Sequence, residues 1–170
     1  PSSNYINSGS NLDLFITKLD SNGVYQWTKT FESSPNINLC YSSMPDMVID
    51  FQNNIWVTAA FSGTVDFDPG PGVFNLSGSF DIVIIKLDVA GSFITAMSLG
   101  SSDFDDVTST HIDNENNFYL SGLVNGTVDF DPGLSIHNVT CQGSFILKLS
   151  NTGVFQWVKV PLGDGCSSRK

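Results

Sequence analysis

Two pairs of carboxylates stand two residues apart: Asp66 with Asp68, and Asp129 with Asp131. Each pair lies in the run Asp-Phe-Asp-Pro-Gly. Residues i and i+2 of an extended segment share a side. Each pair therefore offers oxygen donors to a hard cation such as Ca²⁺, with loop carbonyls as further ligands. The run lacks the additional Asp and the distal Glu of an EF-hand loop. A second reading makes it a turn device, in which the carboxylates accept hydrogen bonds from backbone amides and Pro-Gly sets the bend. Under that reading the two copies hold equivalent geometries and bind no ion. No other cofactor is expected.

Other residue types that could do chemistry are sparse. His111 and His137 are the only histidines, one in a predicted strand and one in a loop, and neither recurs at its repeat position. The cluster Asp103-Phe104-Asp105-Asp106 reads as a solvated loop. A Gly-x-Ser-x-Gly elbow, a phosphate-binding Gly-rich loop and a paired-cysteine redox motif are all absent from the sequence. No catalytic residue is assigned, and the chain is expected not to be an enzyme.

The elements that position the carboxylates are repeated. The octapeptide GTVDFDPG occupies residues 63–70 and again 126–133. Residues 13–31, 81–99 and 143–161 align as a second repeated segment. There Lys18, Lys86 and Lys148 coincide, as do Leu19, Leu87 and Leu149, and Gly23, Gly91 and Gly153. Residues 46–61 match 106–124. Periods of this size indicate propellers or related arrays.

Each unit resolves into four short strands. The first two are predicted over 47–51 and 55–61, with copies at 107–113 and 118–124. The third spans 82–88, with copies at 14–20 and 145–150. The fourth spans 92–99, with copies at 24–31 and 154–160. Val, Ile, Phe, Thr, Tyr and Trp fill these runs, and Gly, Asn, Asp and Pro bound them. Asn22-Gly23 predicts a two-residue type I′ hairpin turn. No window carries a helical period. Alternating residues such as Phe15, Ile82, Ile84 and Ile146, with Trp27, Phe155 and Trp157, are expected to pack between units.

Four antiparallel strands per repeat make the blade of a β-propeller. A linear solenoid or a row of sandwiches is the alternative, but successive hairpins do not suit a parallel β-helix. The fold class is all-β: a partial propeller of four-stranded antiparallel blades. Residues 1–33 supply the outer strands of one blade, 40–100 and 104–161 two full blades, and 162–170 the start of the next. The chain thus reads as about two and a half blades of something longer. In such a blade, the loop between strands two and three shares a face with the loop leaving strand four. Cys141 and Cys166 lie in these two loops and could form a disulfide if their Cα atoms approach within about 7 Å. Free thiols, Cys40 included, are the other reading.

These residues resemble the SBBP-type bacterial β-propeller repeat, especially its version in large secreted and surface proteins of Bacteroidetes. The matching positions are Asp50, Asn54, Trp56, Val57, Thr58, Phe61, residues 63–70 and 81–88, Gly91, and their second-copy equivalents. The middle unit departs where Trp27 and Trp157 become Thr95, and where Lys29 and Lys159 become Met97. The last unit departs where Asp20 and Asp88 become Ser150. The resemblance implies a propeller module but no particular ligand.

Composition agrees with an exported β protein: 41% hydrophobic, 13 Phe, and only 14% charged residues. A formal charge of −10 with seven basic residues argues against nucleic acid. No apolar run is long enough for a membrane helix. The expected function is a noncatalytic extracellular or cell-surface module for adhesion, display or protein binding. Its partners would be a protein or glycan ligand, further blades, or a larger cell-envelope assembly. The alternative is an extracellular glycan-active propeller enzyme whose catalytic blades lie elsewhere.

Overall fold

The computed structural model describes residues 14–31, 44–161 and 167–168. These residues are all-β and form antiparallel sheets. The first sheet pairs β1 (Leu14–Leu19) with β2 (Tyr25–Phe31). The second is four-stranded, in the order β3 (Asp46–Ile49), β4 (Ile55–Asp66), β5 (Asn75–Leu87), β6 (Phe93–Leu99). The third repeats that order with β7 (Asp106–Ile112), β8 (Phe118–Asp129), β9 (Asn138–Leu149) and β10 (Phe155–Lys159). A short β11 (Ser167–Ser168) pairs with β9 at Thr140 and Val139, so it joins the third sheet rather than opening a new one.

In the second and third sheets, strands two and three run well past their predicted bounds. Ser62 to Asp66 pair with Ser79 to Asn75 beyond a register shift at Phe61/Ser62. Gly126 to Asp129 likewise pair with Cys141 to Asn138. These arms are poor in β-branched apolar residues, which hid them in the sequence. Cross-strand hydroxyl pairs tie them at the same place: Thr64 to Ser77 at 2.7 Å and Thr127 to Thr140 at 2.7 Å. The acidic loops are the tips of these arms.

Successive sheets stack face to face. One face of the second sheet, with Ile55, Val57, Phe61, Val83, Ile85 and Leu87, packs on Leu14, Ile16 and Phe31 of the first. Its other face, with Trp56, Ile82 and Ile84, packs on Phe118, Phe145, Leu147 and Leu149 of the third. This is why residues 82–87 are buried without a break and without alternation, Lys86 being the one polar residue among them. Each sheet therefore has a leading face toward the next unit and a trailing face toward the previous one. Ile82 and Ile84 sit in the core as expected. Phe15 and Ile146 do not: they are 56% and 47% exposed. Phe15 lies on the first sheet's trailing face and Ile146 on the third sheet's leading face, and no described sheet covers either. Trp27, Phe155 and Trp157 are half-buried.

The short hairpins share one turn. Asp20, Asp50, Asp88 and Asp113 each accept from the amides two and four residues on, through one carboxylate oxygen, at 2.8–3.0 Å. Ser150 does the same with its hydroxyl, at 3.2 and 3.1 Å. Only the fourth turn residue is left-handed: Gly23, Asn53, Gly91, Asn116 or Gly153. The predicted type I′ pair at Asn22-Gly23 is thus replaced by a turn closed by a single left-handed residue. The Asx bond supplied by Asp20 favours that geometry.

Candidate functional site

One cluster joins strand, turn and neighbouring sheet. Asp50 directly follows β3, and its side chain is fully buried. One carboxylate oxygen holds the turn amides of Gln52 and Asn54. The other accepts from Asn54 Nδ2 at 2.9 Å and Trp56 Nε1 at 3.1 Å, and faces Lys86 Nζ at 3.2 Å. The Lys86 ammonium lies 4.4 Å from the centroid of the Trp56 ring and donates to the Asn151 carbonyl of the third sheet at 2.6 Å. Burial opposes ionisation of Asp50. The donors from Asn54, Trp56 and Lys86 together outweigh it, so the carboxyl sits below its ordinary range.

The third sheet rebuilds the cluster with a tyrosine in place of the tryptophan. Asp113 accepts from Asn117 Nδ2 and from Tyr119 Oη at 3.0 Å, and pairs with Lys148 at 3.4 Å. Burial again opposes ionisation, and hydrogen bonds led by those of Asn117 hold Asp113 far below the usual carboxylate range. The Tyr119 hydroxyl and then Asp113 keep Lys148 above its ordinary range despite some burial. Trp157 meets Tyr119 edge-on, with centroids 5.9 Å apart. In both clusters the carboxylate is occupied by neighbouring donors, and in the buried one Lys86 also bonds the next sheet, which is the chemistry of a structural joint.

More polar bonds cross between the second and third sheets. Asp46 accepts from the amide and hydroxyl of Thr110 at 2.6 and 3.0 Å. The Phe51 amide donates to Asn116 Oδ1 at 2.8 Å, and Asn116 Nδ2 donates to Gln52. The first and second sheets leave an apolar trough of about 310 Å³ between them, lined in part by Ile16, Trp27, Met47, Ile49 and Ile55.

The acidic loops hold their carboxylates in matching places. Asp66 Oδ1 accepts from the amides of Asp68 at 3.0 Å and Phe74 at 2.7 Å; Asp129 Oδ1 accepts from Asp131 at 3.1 Å and His137 at 2.8 Å. Asp68 caps the Gly70 amide and Asp131 the Gly133 amide, both at 2.8 Å. The Phe between each Asp pair is buried: Phe67 against Phe61 and Phe31, Phe130 against Phe145. A Cβ on Gly72 would run into Asp68 Oδ2, so a side chain there would displace that carboxylate. Among the described residues, no three His, Cys, Asp or Glu side chains gather as a metal-binding group.

The remaining sequence candidates scatter. His111 is exposed opposite Tyr119. The His137 ring lies 4.6 Å from that of Phe155. Asp105 corrects the solvated-loop expectation: it is fully buried and accepts from the Ser101 and Asn125 amides. Burial, first of all, pushes both Asp105 and Asp81 above the usual carboxylate range. Cys141 is buried and disulfide-bonded. Cys40 and Cys166, the other two cysteines of the chain, lie outside the described residues.

Sequence reading missed the Asp–Lys joints as units. The aligned lysines and the Asp-x-x-x-Asn-x-aromatic spacing were visible signals. What linked them was the β4–β5 register that sets Trp56 opposite Lys86, and Tyr119 opposite Lys148 in the third sheet.

No family model matches the chain. It is 26% identical over 161 residues to an uncharacterized WD repeat-containing protein of Acanthamoeba polyphaga mimivirus. The match covers 75% of this chain and 11% of that protein's length. That likeness is consistent with a repeated β architecture. No helix among the described residues is long and apolar enough to cross a membrane.

Proposed function

We propose that the chain is a noncatalytic β-propeller module of the SBBP-like repeat type, acting outside the cell or on its surface in adhesion, display or protein binding. One observation carries this reading: the same Asp–Asn–aromatic–Lys joint recurs in successive sheets, its charged groups held in bonds within and between them. WD repeats are built from four-stranded propeller blades, and the WD-repeat relative supports placing these sheets in the same architecture. A ring of such sheets presents loops rather than a reactive side chain as its variable surface. The alternative is that these are structural blades of an extracellular glycan-active propeller enzyme.

One experiment tests the noncatalytic reading for this chain. The purified chain is assayed against a glycan array and purified extracellular proteins for saturable binding, and against aryl glycosides for turnover. Binding without turnover is the expected result. Glycoside turnover that survives repurification and is abolished by replacing a carboxylate of this chain overturns the reading.

A further inference from the structure

The two internal sheet junctions use the same pair of locks. At the first, Lys18 Nζ donates to the Val89 carbonyl at 2.9 Å; at the second, Lys86 Nζ donates to the Asn151 carbonyl at 2.6 Å. Val89 and Asn151 hold the same place in their turns, directly after the Asx or Ser residue. The second lock is a side chain of the fourth strand lying on the next turn's glycine. A Cβ on Gly91 would stand 2.9 Å from Lys29 Cε, and one on Gly153 would stand 2.8 Å from Met97 Cε.

The outer faces carry the unmatched halves of both locks. Lys148 and Lys159 are the third members of the Lys18–Lys86 and Lys29–Met97 series, on the leading face of the third sheet beside exposed Ile146 and Leu123. At the other end, Ser21 holds the place of Val89 and Asn151, and Gly23 that of Gly91 and Gly153. A Cβ on Gly23 would meet nothing within 4 Å, in contrast to both of its counterparts. Phe15 and Leu19 are exposed on the same trailing face.

We propose that the leading face of the third sheet docks on the trailing face of the first sheet of a second copy of this chain. Lys148 Nζ then donates to the Ser21 carbonyl, and Lys159 lies over Gly23. At its third and fourth strands the surface continues an interface that the chain already makes twice internally, with the same two locks. The contact is heterologous, so it propagates head to tail until a ring closes.

Sedimentation over a wide concentration range tests this with the intact chain and two surface variants. Ile146→Asp disables only the leading face, and Phe15→Asp only the trailing face. The wild type should associate with rising concentration, and each variant alone should stay monomeric. An equimolar mixture of the two should form a one-to-one dimer through the pair of intact faces. Lys148→Ala should weaken wild-type association about tenfold or more. If either Asp variant loses its fold by circular dichroism, Leu123→Ser and Leu19→Ser replace them. A wild type that stays monomeric throughout overturns the proposal. So does association that both variants retain, or a mixture of folded variants that fails to pair.

Discussion

Replacing Asp50 with Ala removes the centre of the joint between the second and third sheets. The ammonium of Lys86, 9% exposed, loses its carboxylate 3.2 Å away. The amides of Gln52 and Asn54, and Trp56 Nε1, lose their acceptor. Breaking a buried ion pair by deleting one partner costs about 3–5 kcal/mol. At about 2–4 °C per kcal/mol for a chain of this size, the melting midpoint should fall by about 6–20 °C. Lys86→Met keeps the apolar stem and leaves Asp50 its other donors, so its cost should be smaller, about 1–3 kcal/mol. The matching Asp113→Ala change, at a partly open joint, should cost less than Asp50→Ala. Urea unfolding of the three variants gives the ranking. A loss below about 1 kcal/mol for Asp50→Ala, the size of an exposed pair, refutes the reasoning. A larger loss for Lys86→Met than for Asp50→Ala also refutes it.

Stability should depend on pH with two opposite contributions. Asp46, Asp50 and Asp88 sit below their ordinary values when folded, so their contribution is full above about pH 4 and is lost as pH falls through the folded values. Burial raises Asp81, which therefore costs stability above its folded value and stops doing so as pH falls through it. Asp81→Asn should stabilise the chain more near about pH 7 than near about pH 4, and an equal effect at both would contradict the assignment. Chelator should leave the melting curve unchanged if Asp66, Asp68, Asp129 and Asp131 serve the loop amides alone, whereas a clear drop would restore the Ca²⁺ reading. Non-reducing peptide mapping should recover Cys141 linked to Cys166, and a Cys40 link would contradict that pairing.

The sheets were legible because the octapeptide and the three aligned lysines marked the units, and β-branched and aromatic runs marked the strands. The turn reading of the acidic loop followed from Pro-Gly and from Asp side chains with amides in reach. The misplaced core residues have a plain cause. In β5 both faces are buried, so alternation carries no information there, whereas β1 and β9 each lose cover on one face. Phe15 and Ile146 fall on those open faces despite their apolar type. Asp105 looked solvated because the sequence does not show that the Ser101 and Asn125 amides converge on it. Disulfide partners and the long arms depend on register, which short polar strands specify weakly.

The central claim is that successive units stack face to face through quasi-equivalent interfaces. Its most direct test is a double-mutant cycle on Trp56 and Phe118, which stack across the second and third sheets with centroids 4.6 Å apart and planes 19° from parallel. Trp56→Leu, Phe118→Leu and the double variant should show a coupling of about 1 kcal/mol by urea unfolding. Additivity within about 0.3 kcal/mol would contradict the stacking.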